Sequence, residues 1–592
     1  MCAIHGFLHK DTDKVAKMIK AAHHRGPDGN GAWSDSNITL GHNLLSIVDD
    51  ADASAQPWHH EDCVLVFNGE IYNYKELQAT IKHKCITNTD TEVLAAGLKE
   101  QGWEFLKKCD GMFAVAFYNK TDRQLILARD TNGAKPLYYG YKDKVLHFSS
   151  EIKSLLAVGF ERRVCKQALA QYYNQGYNPG YLTMFEGIKK LVPGEVWIND
   201  SRTNLLDYTL DPVTETDPRV LGAEVKQLNQ HSVNQTLMGR RNIGLFLSGG
   251  LDSGSILAEM RELGVKPVTF TSSFATTDPE SRLNEDSELA ERLCKDWDIE
   301  NHHVHQTQQD YVDALDATFY ALEEPRQGKS FPTYFNTNKF ISDNDIVVTL
   351  SGDGGDEIFA GYKHHSGVPN WRNKLKMWRI HNRPLNNPEL QCTLDDQMDY
   401  LNEWLPKTQL TGDALNDFMY TECLNSVAED FLVRNDKLGM NFSMEARFPI
   451  LNKSLRDYVR AIPGANKVDS MFADAPTEKH KLLQKEAYRG ILPNYIIDHR
   501  KTGWRFPTDE ILVGRLGSPA PDNGVLKDYI RDTLSSADLM DIFEYKKSDI
   551  EDKYLNNKEF TSKNKGPGIR SQKELFVILN FAVWKNVYGI TL

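Results

Sequence analysis

The sequence lacks the features expected of an extracellular, membrane-embedded or nucleic-acid-binding protein. Its eight cysteines contain no CxxC pair, which argues against a zinc ribbon and a disulfide framework and favours reduced thiols. The most apolar late run, 575–584, is interrupted by Asn580 and is too short to span a bilayer. A formal charge of −13 argues against nucleic-acid partners. Because the N-terminus also lacks a basic and apolar leader pattern, we expect a soluble, cytoplasmic protein with no membrane partner.

The common nucleotide-binding motif GxxxxGK[ST] is missing as well, but a different glycine-rich turn is present. The apolar run 243–247 ends in Ser248-Gly249-Gly250-Leu251-Asp252-Ser253, and a helical pattern begins at Ser255. Glycine turns and helix N-termini present backbone N–H groups to anions. Asp252 fits such a turn chiefly if it binds a metal ion that phosphates also bind. The alternative is an ordinary glycine turn between a strand and a helix.

A second stretch repeats this pattern about one hundred residues later. The apolar run 346–350 ends in Ser351-Gly352-Asp353-Gly354-Gly355-Asp356-Glu357. Two parallel strands would bring both acidic glycine turns to one sheet edge, where open α/β sheets bind ligands. The two stretches together predict a nucleotide and magnesium site.

The rhythm of the sequence changes near residue 200. Short β-rich runs dominate before it, which predicts a layered α+β domain. A linker is expected at 200–217. Beyond it, strand and helix patterns alternate as far as the strand at 346–350, which predicts a parallel sheet. After Tyr362 the chain reads as helical and aromatic, with polar loops predicted at 517–524 and 556–568. The 592 residues are more than one core usually supports, so we expect at least two domains.

The N-terminus carries a candidate nucleophile. Removal of Met1 would leave Cys2 with an α-amino group that titrates near pH ~7.7–8.0 and can accept the thiol proton. A chance cysteine is the alternative. Asn68 and Gly69, which follow a predicted strand, supply the amide and N–H donors that an oxyanion hole requires. Asp90 could receive a substrate ammonium, or it could instead cap the helix that follows.

The motifs around these residues resemble two domains of one known family. The early set resembles the class II glutamine amidotransferase domain: Met1-Cys2-Ala3-Ile4-His5-Gly6, His24-Arg25-Gly26-Pro27-Asp28, Asn68-Gly69-Glu70-Ile71-Tyr72-Asn73, Ala128-Arg129-Asp130 and Ser150-Glu151-Ile152-Lys153. The later set is similar to the synthetase domain of glutamine-hydrolysing asparagine synthetases: the stretches at 248–253 and 351–357, Glu445-Ala446-Arg447-Phe448-Pro449, and Lys501-Thr502-Gly503-Trp504 with Pro507.

The resemblance implies an N-terminal nucleophile hydrolase sandwich at residues 1–205, followed at 206–592 by an α/β parallel-sheet ATP pyrophosphatase domain with a helical C-terminal part. The implied enzyme is a carbon-nitrogen ligase that uses glutamine, aspartate, ATP and Mg²⁺. Cys2 would release ammonia from glutamine through a thioester. The synthetase domain would adenylate the aspartate side chain, and ammonia would displace AMP. Similar proteins are often homodimers.

The resemblance also assigns roles to individual residues. Asn68 and Gly69 would stabilise the oxyanion, while Glu70 and Asp90 would help hold glutamine. Asp353 would assist substrate activation, and Lys481 would face the phosphates unless it lies on a solvated helix face. Asp252 and Asp356 would bind magnesium. The residues implied in ATP binding are Leu247, Ser248, Gly249, Gly250, Asp252, Ser253, Ser351 and Gly352.

One position departs from the family pattern in an informative way. Leu44 stands where the family has the arginine that receives the glutamine α-carboxylate. Such a charge-assisted bond is typically worth ~1.5–3 kcal/mol. Either another cation such as Arg25 takes over, or free ammonia is the better donor. The acceptor also stays open, since a sugar acid or a peptide side chain could replace aspartate. A non-catalytic relative is the third reading, although the retained Cys2 and Asp252 argue against it.

Overall fold

The computed structural model describes residues 2–49, 53–207, 210–275, 282–368, 411–469, 479–500, 525–550 and 572–592. The motif at 501–504 with Pro507 and the loops predicted at 517–524 and 556–568 lie outside these residues. Within them, no helix is long and apolar enough to cross a membrane.

The first two hundred residues form two stacked six-stranded antiparallel sheets. One sheet has the order β10-β8-β9-β1-β3-β2, and the other has the order β12-β11-β7-β6-β5-β4. The strands are β1 Ala3–Phe7, β2 Gly29–Ser34, β3 Thr39–Leu44, β4 Trp58–His60, β5 Cys63–Ile71, β6 Gly111–Asn119, β7 Gln124–Arg129, β8 Tyr138–Lys142, β9 Val145–Ser149, β10 Ile188–Lys190, β11 Glu195–Ile198 and β12 Ser201–Asn204. The helices around them are α1 Thr12–Ala21, α2 Tyr74–Gln78, α3 Asp90–Gln101, α4 Ile152–Ala157 and α5 Lys166–Gln175.

Strand β6 shows why these sequences form a buried layer. Because side chains alternate between the two faces of a strand, Ala114 and Ala116 face the core between the sheets, while Val115 and Phe117 pack in the outer core with α3. Small residues on the inner face allow the sheets to approach, and large residues on the outer face fill the space under the helix. Helix α1 covers the other sheet through Val15 and Met18. The predicted layered α+β sandwich is confirmed.

The second half contains a five-stranded parallel sheet with the order β15-β14-β13-β16-β17. Its strands are β13 Ile243–Phe246, β14 Val268–Phe274, β15 Glu300–Gln306, β16 Val348–Leu350 and β17 Glu445–Arg447. The helices that alternate with them are α6 Pro218–Thr236, α7 Leu251–Glu262, α8 Glu285–Trp297, α9 Gln308–Asp313, α10 Leu315–Leu322, α11 Phe331–Asp343 and α12 Gly355–Phe359. The predicted alternation of strands and helices is confirmed as far as β16.

The remaining described chain is largely helical. A continuous run consists of Ala414–Glu422, a π-helix over Cys423–Leu432, and Val433–Met440. Further helices are Lys453–Ala461, Leu482–Tyr488, Asn494–Ile497, Val525–Thr533, Ala537–Phe543, Lys547–Ile550 and Gln572–Tyr588. The last of these shares a hydrophobic core with α4 and α5, and the Tyr172 hydroxyl donates to the carbonyl oxygen of Val577 at 2.6 Å. The C-terminal helix is therefore part of the core under the N-terminal sandwich.

Three boundaries differ from the expectations. Helix α7 begins at Leu251 rather than at Ser255, because Gly250 already acts as its N-cap residue. Strand β12 occupies part of the expected linker, where it extends the second sheet by pairing with β11. Strand β17 lies in a region read as helical. Its three residues are too few for a periodicity of two to be recognised, and their pairing with β16 fixes them in the sheet.

Candidate active sites

Cys2 lies immediately before β1, beside the predicted oxyanion residues. Its backbone nitrogen donates to Asn68 Oδ1 at 3.1 Å, and Asn68 Nδ2 donates to Ser150 Oγ at 3.3 Å. Gly69 has a φ of +153°, and a Cβ there would lie 1.9 Å from the carbonyl oxygen of Met112. Only glycine fits this position in β5. The stacking of the two sheets thus brings Cys2 close to Asn68 and Gly69, although Cys2 is far from them in the sequence.

The Cys2 thiol is buried, and burial raises its pKa to about 11. At neutral pH the sulfur is therefore protonated, and it needs a base to become a nucleophile. His5, on the same strand, is unsuited to this task because burial lowers its pKa to about 4, and its ring nitrogens contact Ser149 and Asn43. The α-amino group of a processed Cys2 remains the base that the chemistry requires.

Glu70 lies near the C-terminal end of β5, and Asp90 is the first residue of α3. Asp90 Oδ2 accepts from the backbone nitrogen of Ile71 at 2.8 Å, and burial raises the Asp90 pKa to about 6. The Glu70 pKa is also raised, first by burial and then by the charge of Glu445. The N-cap of α3 is Thr89, so the alternative reading of Asp90 as a cap is wrong. Two buried carboxyl groups form a place where a substrate ammonium would be bound in its charged form.

The structure places Arg25 differently from the role suggested for it. Its guanidinium is fully buried, and its Nε donates to the carbonyl oxygen of Cys2 at 3.0 Å. The terminal nitrogens contact Glu151 at 2.8 Å and both carboxylate oxygens of Asp436, at 2.7 and 3.1 Å. In this arrangement Arg25 is committed to carboxylates of the protein, so the geometry does not favour it as the cation for a glutamine carboxylate.

The second site is a cavity of about 360 Å³ at the edge of the parallel sheet where the strands end. The two acidic turns predicted from the sequence line it together. Of the residues implied in ATP and metal binding, those lining the cavity are Leu247, Ser248, Gly250, Asp252, Ser253, Ser351, Gly352 and Asp356, and Asp353 and Lys481 lie there too. Gly249 lies on the side of the turn that packs against α8. A Cβ there would lie 2.0 Å from the carbonyl oxygen of Asp286.

Lys481 connects the two acidic turns. Its Nζ lies 2.5 and 2.6 Å from the Asp252 oxygens and 2.7 Å from Asp356 Oδ1. The side chain is buried, and the residue precedes the helix Leu482–Tyr488 with a φ of +55°. The alternative of a solvated helix face is therefore wrong. The lysine is therefore a cation inside the cavity, where it could bind an anionic ligand in addition to the two carboxylates.

Two glycines allow the backbone to approach the carboxylates of Asp252 and Asp356 closely. A Cβ on Gly355 would lie 2.3 Å from Asp252 Oδ1, and one on Gly361 would lie 1.9 Å from Asp356 Oδ1. Any side chain at either position would displace a carboxylate from the cavity. The result is a pair of carboxylates around one cationic position, and carboxylate oxygens are the ligands that Mg²⁺ prefers. These residues therefore fit the implied metal.

Asp353 is held by residues that the sequence reading missed. Arg434 Nη2 lies 3.1 Å from Asp353 Oδ1, and Asn435 Nδ2 donates to Asp353 Oδ2 at 2.9 Å. The Arg434 guanidinium also packs 4.2 Å from the centre of the Tyr334 ring. Its only sequence signal is the charged run 434–437 inside an otherwise apolar helical stretch, and that run does not reveal which site it reaches.

A group of His364, His365 and Glu422 next to this region has the composition of a metal site. The backbone nitrogen of Tyr362 donates to His365 Nδ1 at 3.3 Å, so the ring proton is on Nε2, which lies 2.7 Å from Glu422 Oε2. His364 Nε2 lies 3.1 Å from the other carboxylate oxygen. This geometry is that of a hydrogen-bonded network that holds the turn after α12.

Comparisons with known proteins agree with this division into two sites. A family model described as a glutamine amidotransferase domain matches residues 1–209, and one described as asparagine synthase matches residues 224–585. The second match alone spans more than half of the chain. The chain belongs to the asparagine synthase family. The glutamine-hydrolyzing asparagine synthetase 1 of Bacillus subtilis is 28% identical to it over 566 residues, covering 86% of this chain and 87% of the relative.

Asparagine synthetase B of Escherichia coli, another member of the family, is 29% identical over 517 residues, covering 83% of this chain and 80% of its own. A solved structure of glutamine phosphoribosylpyrophosphate amidotransferase from B. subtilis covers 45% of this chain and 64% of its own at 17% identity, with a TM-score of 0.26.

Proposed function

We propose that this protein makes asparagine from aspartate, glutamine and ATP. The observation that carries the proposal is the presence of two separate sites in one chain. One contains the Cys2 thiol next to Asn68, and the other is a cavity lined by two acidic glycine turns and a buried lysine. The named relatives in B. subtilis and E. coli are glutamine-hydrolyzing asparagine synthetases, which supports aspartate as the acceptor. We further propose that the glutaminase domain comprises residues 1–205 and the synthetase domain 206–592.

At the first site, the Cys2 sulfur attacks the side-chain carbonyl carbon of glutamine. The thiol proton passes to the α-amino group of Cys2 and then to the leaving nitrogen, which departs as ammonia. Asn68 and Gly69 stabilise the oxyanion of each tetrahedral intermediate. Glu70 and Asp90 pair with the substrate ammonium, and water then hydrolyses the thioester to glutamate. Because the thiol is protonated at neutral pH, the rate depends on how well the amine accepts its proton.

At the second site, the aspartate side-chain carboxylate attacks the α-phosphate of ATP, giving an acyl-adenylate and pyrophosphate. Ammonia then attacks the acyl carbon, and AMP leaves. Lys481 faces the phosphates and balances the charge that develops on the leaving pyrophosphate. Asp353, held by Arg434 and Asn435, lies in the same cavity and assists acceptor activation. The glycine turns before α7 and α12 present backbone N–H groups to the phosphates.

We propose that Asp252 and Asp356 hold Mg²⁺. The ion would neutralise phosphate charge when bound. Lys481 Nζ lies beside the same two carboxylates, 2.5 Å from Asp252 Oδ2 and 2.7 Å from Asp356 Oδ1.

The decisive experiment separates the two sites. Purified protein with aspartate, glutamine, ATP and Mg²⁺ should yield asparagine, glutamate, AMP and pyrophosphate in equal amounts. Cys2→Ala should abolish glutamine-dependent product and keep ammonia-dependent product, while Cys85→Ala controls for loss of a half-buried thiol elsewhere in the sandwich. ADP in place of AMP would exclude the adenylate. Equal loss of both activities in Cys2→Ala would mean that the two sites are not arranged as proposed, and unchanged glutamine-dependent synthesis would mean that ammonia does not arise at Cys2.

A further inference from the structure

The helical turn 434–437 touches both sites at once. Arg434 and Asn435 hold Asp353 in the nucleotide cavity, as described above. The next residue, Asp436, is fully buried and binds Arg25 through both carboxylate oxygens, at 2.7 and 3.1 Å. Lys437 donates to the carbonyl oxygen of Ser150 at 3.2 Å. Consecutive residues of one helix in the synthetase half therefore reach the residues around Cys2.

Asp436 is linked through Arg25 to the backbone of Cys2, the proposed nucleophile. Arg25 Nε donates to the carbonyl oxygen of Cys2 at 3.0 Å, so the guanidinium fixes the peptide plane from which the Cys2 side chain projects. A planar guanidinium gripped through two of its nitrogens by one carboxylate cannot rotate without breaking both bonds. Glu151 holds the same guanidinium from the sandwich side, at 2.8 Å. Arg25 is thus oriented jointly by both halves of the chain.

We infer that Asp436 is a positioning residue for the Cys2 nucleophile, acting through Arg25. Asp436 does not touch the reacting atoms, and it lies 434 residues from the cysteine in the sequence. Through this contact the synthetase half sets the orientation of the thiol and the α-amino group relative to Asn68 and Gly69. The inference rests on the proposed glutaminase role of Cys2.

The alternative is an ion pair that only stabilises the interface between the two halves. Another buried ion pair provides a matched control. Glu429, in the π-helix that leads into the same turn, pairs with Arg129 at 3.0 Å and with Lys190 at 2.6 Å. It is as buried as Asp436 and also joins the two halves, but within the described residues its partners are Arg129, Lys190 and Arg326 rather than residues that contact Cys2. A purely structural effect should appear equally at both positions.

The test compares Asp436→Asn with Glu429→Gln in the full chain. In Asp436→Asn, kcat for glutamine-dependent synthesis should fall on the order of 10- to 100-fold, as expected for a misplaced nucleophile. KM for glutamine and the ammonia-dependent rate should each stay within about threefold of wild type. Glu429→Gln should leave the ratio of the two activities unchanged. Wild-type kcat in Asp436→Asn overturns the inference, and so does an equal fall of both activities in both variants.

Arg25→Lys provides a second approach in case Asp436→Asn does not fold. Lysine keeps the positive charge but cannot contact Cys2, Glu151 and Asp436 in the planar geometry of the guanidinium. It should lower the glutamine-dependent kcat and spare the ammonia-dependent rate, and unchanged glutamine-dependent kcat in a folded variant overturns the inference. Failure of the proposed function is recognisable separately, because the wild-type protein would then release no glutamate from glutamine.

Discussion

At the scale of single residues, glutamine recognition depends on which cation meets its carboxylate. Leu44 is buried, and its Cδ2 would lie 3.6 Å from a Cβ added at Gly29. Arg25 is already paired with Asp436 and Glu151. The two carboxyl groups proposed to bind the substrate ammonium, Glu70 and Asp90, therefore have no arginine at position 44 to complement them. We therefore expect weaker binding of glutamine than in a site where an arginine also binds its α-carboxylate.

The substitution Leu44→Arg tests this deficit. A charge-assisted bond of ~1.5–3 kcal/mol should lower KM for glutamine roughly tenfold or more, with kcat little changed, because the new bond forms equally in the ground and transition states. Steady-state kinetics with varied glutamine measures it. Leu44→Met keeps an apolar side chain of similar volume and should leave KM at the wild-type value. An unchanged KM in Leu44→Arg would mean that another group already binds the carboxylate.

The ionisation of Asp90 makes glutamine use depend on pH. Burial raises its pKa to about 6, and it must be ionised to pair with an ammonium. The interaction is therefore present above pH 6 and is lost as pH falls through that value. Protonation of the Cys2 amine near pH ~7.7–8.0 already lowers kcat/KM for glutamine, and below pH 6 we expect it to fall by a further factor of about ten per pH unit. Synthesis from ammonia, measured at constant free NH₃, should show no such break. A flat glutamine profile between pH 5 and 7 would contradict this assignment.

The residues that bear chemistry could be named from the sequence, whereas their partners could not. Cys2, Asn68 and Asp252 stand in motifs whose residue types and spacing reveal their chemistry. Arg434 and Asp436 stand in a helix with no such signal, and their roles depend on contacts with Asp353 and Arg25, hundreds of residues away. The same limit explains Arg25, since its charge suggested a substrate carboxylate and only the fold shows that protein carboxylates bind it.

At the scale of elements, the turn between β13 and α7 depends on Gly249. It has a φ of +75°, and a Cβ there would lie 2.0 Å from the carbonyl oxygen of Asp286 and 3.0 Å from the backbone nitrogen of Ala290. Both neighbours belong to the backbone of α8, so neither can move aside. The turn reaches its position over the cavity only because this residue has no side chain.

Gly249→Ala should therefore lower ammonia-dependent synthesis by at least about tenfold, because the turn and Asp252 shift away from the phosphates. Gly264 is the matched control. It has nearly the same φ, +74°, and a Cβ there would meet no atom within 4 Å. Gly264→Ala should cost only about 1–2 kcal/mol of left-handed strain and leave activity intact. Rate measurements with saturating ammonia and thermal melts distinguish the two. Equal effects would show that strain, rather than the clash, is responsible.

The parallel sheet illustrates which elements the sequence could reveal. Strands β13 and β16 follow from apolar runs that end in glycine turns, and the helices between them follow from their periodicity. Strand β17 could not be predicted, because Glu445-Ala446-Arg447 carries two charges and no apolar run. Its charged side chains are buried because they pair with each other and because Arg447 reaches Glu70, at 3.4 Å, in the glutaminase sandwich.

At the scale of the whole molecule, buried ion pairs join the two halves. Arg25–Asp436, Arg129–Glu429, Lys437–Glu151 and Arg447–Glu70 each connect residues on opposite sides of the predicted boundary at residue 205. The apolar core adds to this, since α4 and α5 pack against the C-terminal helix Gln572–Tyr588. Separating the halves would break these ion pairs and would expose one side of a large apolar core.

Residues 1–205 expressed alone should therefore be much less stable than the same residues in the full chain. Exposing one fully buried apolar side chain costs about 1.5–3 kcal/mol, and the total stability of a domain is only about 5–15 kcal/mol. Exposing a few such side chains alone reaches the lower part of that range. We expect the full chain to unfold in one calorimetric transition and the isolated fragment to show little or no cooperative melting. Two transitions in the full chain, one of them matching a folded fragment, would mean that the contacts across the boundary contribute little to stability.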